Sequence, residues 1–465
     1  METSQILKEG DEEPPSQLLE WSCSDNGVVT LKKETIFNRF WPDATSKQWN
    51  DWRWQMANRL RSLQALSSLL NLKPYQVSAF KKLLEVFHYS ATPYYLSLID
   101  WSDPEDPIRK QAIPDLQEAS FEVVGDIDPL EEEEDMPVPN LVHRYPNRVL
   151  AIVTNTCAMY CRHCTRKRIW HEGESASSRK DLEAMVAYVR STPKVREVVI
   201  SGGDPLTSNM DNLDWFLGEL GKISHVDVLR IGTRVPVVLP MRITDDLTKM
   251  LASHRPLWLN TQFNHPREIT PEAQEACDKI IRAGIPVSNQ SVLLKGINDS
   301  VEIMKELNHS LQKIMVRPYY LFQCDPVRGV EHFRTSIWKG IEIIEMFRGY
   351  TGGLSIPTFV VDAPGGGGKI PLQPFYLLSA TDKEVLLRNY EGMIVKYYNP
   401  QENGASKPKK TNGNGKSGGK AALFKENAKI VIPQNTPRFA RRRKKNLQRC
   451  LDTHNQQAFP FWKDN

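Results

Sequence analysis

The stretch VLAIVTNTCAMYCRHC occupies residues 149–164. Its first six residues are an apolar run, rich in branched side chains, of the length of a buried strand. Its last eight hold Cys157, Cys161 and Cys164, at gaps of three and two residues, in what reads as the loop leaving that strand. Three thiolates at this spacing can converge on one face of a [4Fe-4S] cluster and leave the fourth iron without a protein ligand. An open iron is what a reaction needs when a small molecule must bind the cluster; here the fitting molecule is S-adenosylmethionine, through its amino and carboxylate groups. A structural zinc site is the competing reading, but such a site normally takes four protein ligands. No second Cys/His pair with finger spacing follows; His163 lies inside the motif and Cys450 stands far off near the C-terminus.

Outward from that stretch, strand-like and helical runs alternate from Arg148 to about Val361. The strand candidates are 149–154, 197–202, 226–232, 257–263, 286–292, 316–322 and 357–361. Between them, amphipathic spacing predicts helices over 180–192, 210–220, 245–253, 271–283 and 301–314. Such alternation argues for parallel βαβ units, and six in a row predict an α/β fold with a partial (β/α)6 barrel. Its chemistry belongs at the C-terminal ends of the strands, which is where the cysteine loop falls.

The flanks read differently. Residues 1–35, rich in Glu, Ser and Pro, read as a flexible leader, and 36–140 as an N-terminal helical region. There Trp49, Trp52, Met56, Leu60 and Leu63 recur at helical spacing in one helix capped by Thr45 or Ser46, and a second helix is expected over 73–88. The acidic run Glu131–Asp135 reads as a solvated loop. Residues 401–465 form a basic, low-complexity tail expected to be disordered; 401–450 carry fourteen Lys and Arg against two Glu. The whole chain is only +4, so everything before that tail is net acidic. A composition of 40% hydrophobic and 25% charged residues is that of a soluble globular protein. No apolar run is long enough to cross a membrane, and the acidic N-terminus lacks the pattern of a secretory signal. Seven cysteines, an odd number with three crowded together, suggest reduced thiols and a cytoplasmic protein.

Two further motifs carry chemistry. Ser201-Gly202-Gly203-Asp204 follows the second strand candidate. Glycine lets backbone approach a ligand, so beside the cysteines this reads as the segment that bonds the methionyl amino group, or else as a tight turn. Asp362-Ala-Pro-Gly-Gly-Gly-Gly-Lys369 follows the last candidate. A lysine ending such a loop is placed to form a Schiff base with pyridoxal phosphate, or is a solvated lysine on a flexible loop. A phosphate-cradling P-loop is excluded, because Ile370 stands where Ser or Thr is required. Arg144, Tyr145 and Arg148 offer two cations for a cofactor phosphate and a ring to stack on it, or are ordinary surface residues.

With these motifs together, the chain resembles the lysine 2,3-aminomutase family of radical S-adenosylmethionine enzymes. The likeness runs over roughly residues 36–398, through WNDWRWQ (49–55), HRYPNRV (143–149), CAMYCRHCTRKR (157–168), RIGTRVPVVLP (230–240), NQSVLLKGIND (289–299) and PTFVVDAPGGGGK (357–369). The resemblance implies a radical barrel at 141–365 and a segment at 366–400 that covers pyridoxal phosphate. It implies that Cys157, Cys161 and Cys164 hold the [4Fe-4S] cluster, and that Ser201, Gly202, Gly203, Asp204 and His163 contact S-adenosylmethionine. Lys369 would carry pyridoxal phosphate, Arg144, Arg148 and Gln290 its phosphate, and Tyr145 its ring. Arg166 would pair with the substrate α-carboxylate, and Asp325 and Asp362 would clamp the ε-ammonium of lysine; the related glutamate aminomutases place Lys and Asn at those two positions. The implied activity moves an amino group between Cα and Cβ by way of a 5′-deoxyadenosyl radical, with a flavodoxin- or ferredoxin-like protein as one-electron donor and a homo-oligomeric assembly. Arginine, glutamate or another amino acid are alternative substrates, as is, less favoured, an RNA or protein recruited by the tail; the favoured reading of the tail is a solvated segment with no partner. One departure stands out. The family's zinc site uses a mid-chain cysteine and a C-terminal CxCxxC group; here Ser300 occupies the first position and Cys450 is alone, so no zinc is expected.

Overall fold

The computed structural model describes residues 40–119, 125–381 and 384–398. The expected leader at 1–35 and the basic tail at 401–465 lie outside the described residues.

Nine strands form one sheet in sequence order: β1 (Leu141–Tyr145), β2 (Arg148–Ile152), β3 (Glu197–Ser201), β4 (Val228–Gly232), β5 (Leu257–Thr261), β6 (Val287–Leu293), β7 (Arg317–Gln323), β8 (Thr358–Ala363) and β9 (Gly368–Pro371). From β2 to β8 every neighbouring pair is parallel. Six crossover helices join these seven strands, so six βα units and a closing strand appear as expected. Parallel strands covered on both faces are apolar runs, and that is why all seven were visible in the sequence.

The crossover helices start where side chains can satisfy their free N–H groups. Ser178, Asn209, Thr244, Thr270, Ser300 and Ser336 each accept a hydrogen bond from the backbone N–H three residues on. Their inner faces then follow helical spacing; the helix Val301–Lys313 buries Met304, Leu307 and Leu311. The helix Ile337–Phe347 was not predicted. Its Gly340 lies so close to the Phe359 ring of β8 that a Cβ there would sit 2.2 Å from the ring, so glycine serves packing rather than breaking the helix.

Two expectations are corrected. The long N-terminal helix is broken into Ser46–Trp49, Trp52–Ala57 and Leu63–Leu70. Asp51 and Ser62 begin new helices by accepting from Arg53 N–H and Ala65 N–H, and Leu60 leaves helical geometry to exchange backbone bonds with Ala91. The second helix spans Pro74–Val86. The boundary drawn at 365 falls inside a hairpin: β9 pairs antiparallel with β8, setting Lys369 opposite Asp362. Pro364 to Gly367 are its turn, and Gly365, Gly366 and Gly368 have φ of +67°, +64° and +86°, values other residues rarely adopt. Beyond the hairpin, β10 (Leu377–Ala380), β11 (Glu384–Arg388) and β12 (Ile394–Tyr398) make a separate antiparallel sheet.

Candidate active site

The strand C-termini open into a cavity of about 520 Å³, and all sixteen residues nominated from the sequence line it. Lys369 is the last of the lining residues in chain order; after it Ile370 and Pro371 complete β9, and β10–β12 form a sheet of their own.

At one end lies the cysteine loop. Cys157, Cys161 and Cys164 are partly buried and free of disulfides. Cys164 N–H closes a turn on the Cys161 carbonyl at 2.9 Å. The Cys161 sulfur accepts from Arg234 Nη1 at 2.8 Å, and the Cys164 sulfur from the Arg166 backbone N–H at 3.3 Å. Burial pushes the Cys164 thiol up to about 11 and Cys157 well above its ordinary value, so it takes a bound cation to hold these sulfurs as thiolates. Among the described residues no three His, Cys, Asp or Glu side chains converge on a single ion. A [4Fe-4S] cube asks for a different arrangement, three sulfurs each meeting a separate iron, and the donor set fits it.

The glycines of the Ser201–Asp204 segment turn out to face protein. A Cβ on Gly202 would sit 2.2 Å from the Thr154 carbonyl, and one on Gly203 2.4 Å from that of Thr156. They let β3 close on the backbone that leads into Cys157. Asp204 is likewise spent on the scaffold: its carboxylate accepts from Thr233 Oγ1 at 2.6 Å and from the N–H groups of Arg234 and Leu206. Burial raises its carboxyl to about 6. His163 is different. Its Nε2 meets the side-chain amides of Gln262 and Asn264, while its buried Nδ1 has no hydrogen-bond partner among the described residues. An orphaned polar atom lining a cavity fits a site that receives a polar ligand.

At the other end stands Lys369. Its backbone N–H donates to Tyr145 Oη at 2.9 Å, its Nζ lies 3.0 Å from both oxygens of Asp362, and the Phe322 ring centroid is 5.0 Å away. The Arg148 guanidinium stacks on Tyr145, 3.8 Å from the ring centroid. Asp325 completes the group. Burial, and then the charge of Asp362, push its carboxyl up to about 7 against the pull of Lys369. Arg144 also lines the cavity, but Asp135 at 2.9 Å and the Leu130 carbonyl already hold its guanidinium. Arg230, which pairs with Glu197, lines the cavity with Arg148 and Gln290.

The acidic run is corrected as well. Glu132 and Asp135 are buried, not solvated. Glu132 grips Arg166 through both carboxylate oxygens, at 2.6 and 2.8 Å, and Arg168 at 2.9 Å. Burial opposes its charge, yet the two guanidiniums hold the carboxyl down at about 2. The segment is tied to the rest by backbone bonds from Asp126 to Pro326 and from Gly365 to Pro129. Acidic composition alone could not reveal this, because the cations that bury Glu132 stand more than thirty residues away.

A family model described as the radical SAM superfamily matches residues 151–307, from β2 to the helix after β6. Fold, cysteine loop and match define a radical enzyme that uses a [4Fe-4S] cluster and S-adenosylmethionine. A second model, described as lysine-2,3-aminomutase, matches residues 344–458, well past residue 398 where the likeness was seen to end. The L-lysine 2,3-aminomutase of Fusobacterium nucleatum is 50% identical over 376 residues, 81% of this chain and 87% of that one. That of Bacillus subtilis is 50% identical over 362 residues, 78% of this chain and 77% of its own length. The glutamate 2,3-aminomutase of Clostridioides difficile is 45% identical over 368 residues, 79% of this chain and 86% of its own. The chain belongs to the lysine 2,3-aminomutase family, whose members are isomerases.

Proposed function

We propose that this protein interconverts free L-lysine and L-β-lysine, with pyridoxal phosphate on Lys369 as its third cofactor. The observation that carries the reading is the seat of Lys369 itself. Its Nζ is a primary ammonium on a four-carbon stem, bonded to both oxygens of Asp362 at 3.0 Å, with Asp325 close enough to have its ionisation changed by it. The ε-ammonium of lysine is the same group on the same stem. With Lys369 given over to the cofactor, Asp362 and Asp325 would be left without its charge, and the ε-ammonium of a lysine substrate would take its place.

The residues then divide the work. Cys157, Cys161 and Cys164 hold the cluster, and His163 with the Ser201–Asp204 segment borders the space for S-adenosylmethionine. Arg148, Gln290 and Arg230 offer donors for the cofactor phosphate, and Tyr145 fixes the backbone at Lys369. Pyridoxal phosphate supplies, when bound, a π-system that delocalises an unpaired electron beside the migrating nitrogen. Arg166 binds the substrate carboxylate, taking it in exchange for Glu132, and so orients Cβ toward the adenosyl end. Tyr320 and Phe322 wall the cavity with aromatic surface that limits water around a reactive radical. We assign the electron to a flavodoxin- or ferredoxin-like donor and the working form to a homo-oligomer. Among the described residues no helix is long and apolar enough to cross a membrane.

Anaerobic turnover of the reconstituted protein with dithionite and S-adenosylmethionine tests the reading, using lysine, arginine and glutamate with mass-spectrometric detection of β-amino acids. β-Lysine is the expected product. β-Glutamate would overturn the two-carboxylate assignment, since a buried acidic pair repels an anionic side chain.

A further inference from the structure

We propose that Arg234 is a positioning residue that sets the reduction potential of the cluster through the Cys161 thiolate. Arg234 lies two residues beyond β4, buried, with its guanidinium held on three sides. Nε donates to the Gln262 carbonyl at 3.1 Å; Nη2 donates to Glu268 Oε1 at 2.7 Å and Gln111 Oε1 at 2.6 Å. The remaining nitrogen, Nη1, points at the Cys161 sulfur, 2.8 Å away. Its backbone N–H is fixed by Asp204 at 2.7 Å.

Glu268 does not cancel this charge alone. Its carboxylate also accepts from Tyr95 Oη at 2.6 Å and from the N–H groups of Asn264 and His265 at 2.6 and 3.0 Å. The anion is shared among four donors, and the guanidinium keeps one donor free for sulfur. Among the described residues Cys161 is the only one of the three cysteines whose sulfur accepts from a charged side chain; Cys164 accepts from a backbone N–H.

The sign of the effect follows from charge. A [4Fe-4S]2+ core with three thiolates carries −1, and one electron from an external low-potential donor takes it to −2. No bond forms or breaks and no proton moves. A fixed cation hydrogen-bonded to a ligand sulfur, in a site shielded from water, stabilises the −2 form more than the −1 form. Arg234 therefore makes the cluster easier to reduce, and the Tyr95, Gln111 and Glu268 network keeps it aimed. The bland alternative is that Arg234 merely ties the N-terminal region to the barrel through Glu268, which would leave the potential unmoved.

The test is an EPR-monitored redox titration of the full-length reconstituted protein without S-adenosylmethionine, with iron and sulfide content matched between variants. Arg234→Met is expected to lower the midpoint, so that at a fixed solution potential the ratio of reduced to oxidised cluster falls about tenfold, about 59 mV for one electron. Gln111→Ala, which loosens the network but keeps the guanidinium, should shift it less. A midpoint for Arg234→Met equal to that of the unaltered protein at equal cluster content would overturn the proposal. Should Arg234→Met not retain the cluster, Arg234→Lys decides. One ammonium cannot reach both Cys161 and Glu268, so a changed midpoint and changed g-values are expected, and values identical to the unaltered protein would sink the idea.

Discussion

Asp325 feels four charged neighbours, Asp362 and Glu132 raising its pKa and Lys369 and Arg334 lowering it, and burial tips the balance to about 7. Below that pH it is neutral, and the cavity end keeps only one carboxylate for a cationic side chain. With Lys369 taken up by the cofactor its lowering pull on Asp325 is gone, so activity at limiting lysine should fall as pH drops through about 7 or somewhat above, and Asp325→Asn should abolish this acidic limb. Losing one hydrogen bond to a charged group is worth about 1.5–3 kcal/mol, so Asp325→Asn should also lower kcat/KM for lysine roughly ten- to hundredfold on the alkaline side. Anaerobic pH profiles of both proteins check this. A second residue-scale prediction concerns Gly368, at φ +86°, where a Cβ would meet Tyr145 Oη at 3.0 Å. Gly368→Ala should cost about 1–2 kcal/mol for left-handed backbone and displace Lys369, read as a lower Tm and a loss of visible absorbance from bound pyridoxal phosphate. At this scale the sequence was a good guide to chemistry and a poor guide to employment. Lys369, the cysteines, Gly202, Gly203 and Asp204 all line the cavity, and the last three also brace the scaffold, a second role that depends on what packs against them.

Between elements, one buried carboxylate joins the N-terminal region to the cluster loop. Glu118, on a short 3-10 turn (Leu116–Glu118), pairs with Arg162 at 2.6 Å and Lys167 at 2.8 Å, and these two flank Cys164. Burial works against its charge, but the two cations hold its carboxyl down at about 2. Its folded pKa is thus below its unfolded value, so the stability it adds, roughly 3 kcal/mol by linkage, is present above about pH 4.5 and lost as pH falls toward 2. Glu118→Gln leaves two buried cations uncompensated and should destabilise the protein by about 3–5 kcal/mol, seen as a lower urea midpoint at pH 7. The same variant should flatten the acid limb of the stability curve. The partners lie more than forty residues apart, so no local pattern could have paired them. Elements themselves were legible wherever one periodicity ruled, as in β2–β8 and five of the six crossover helices. They were missed in β1 and β10–β12, short strands that lie outside the strand–helix alternation, and where a glycine interrupts a helix for packing.

At the scale of the whole molecule, the sheet of β10–β12 carries apolar surface that nothing described covers; Ile394 is 66% and Tyr398 69% exposed. Patches of this kind mark interfaces. The full chain should sediment as a multimer of its own mass, and Ile394→Asp should shift it to smaller species while leaving the barrel's Tm unchanged; a monomer at micromolar concentration would refute the assembly. By itself the sequence determined the class of fold and nominated the three cysteines and Lys369, because strand–helix periodicity and the spacing of Cys157, Cys161 and Cys164 are local properties written in consecutive residues. Only the tertiary structure decided which charges meet: Glu132 on Arg166, Lys369 on Asp362, Glu118 on two cations, Arg234 on the Cys161 sulfur. Charges that are distant in sequence acquire strength only when the fold buries them together, away from water, and that proximity has no local signature.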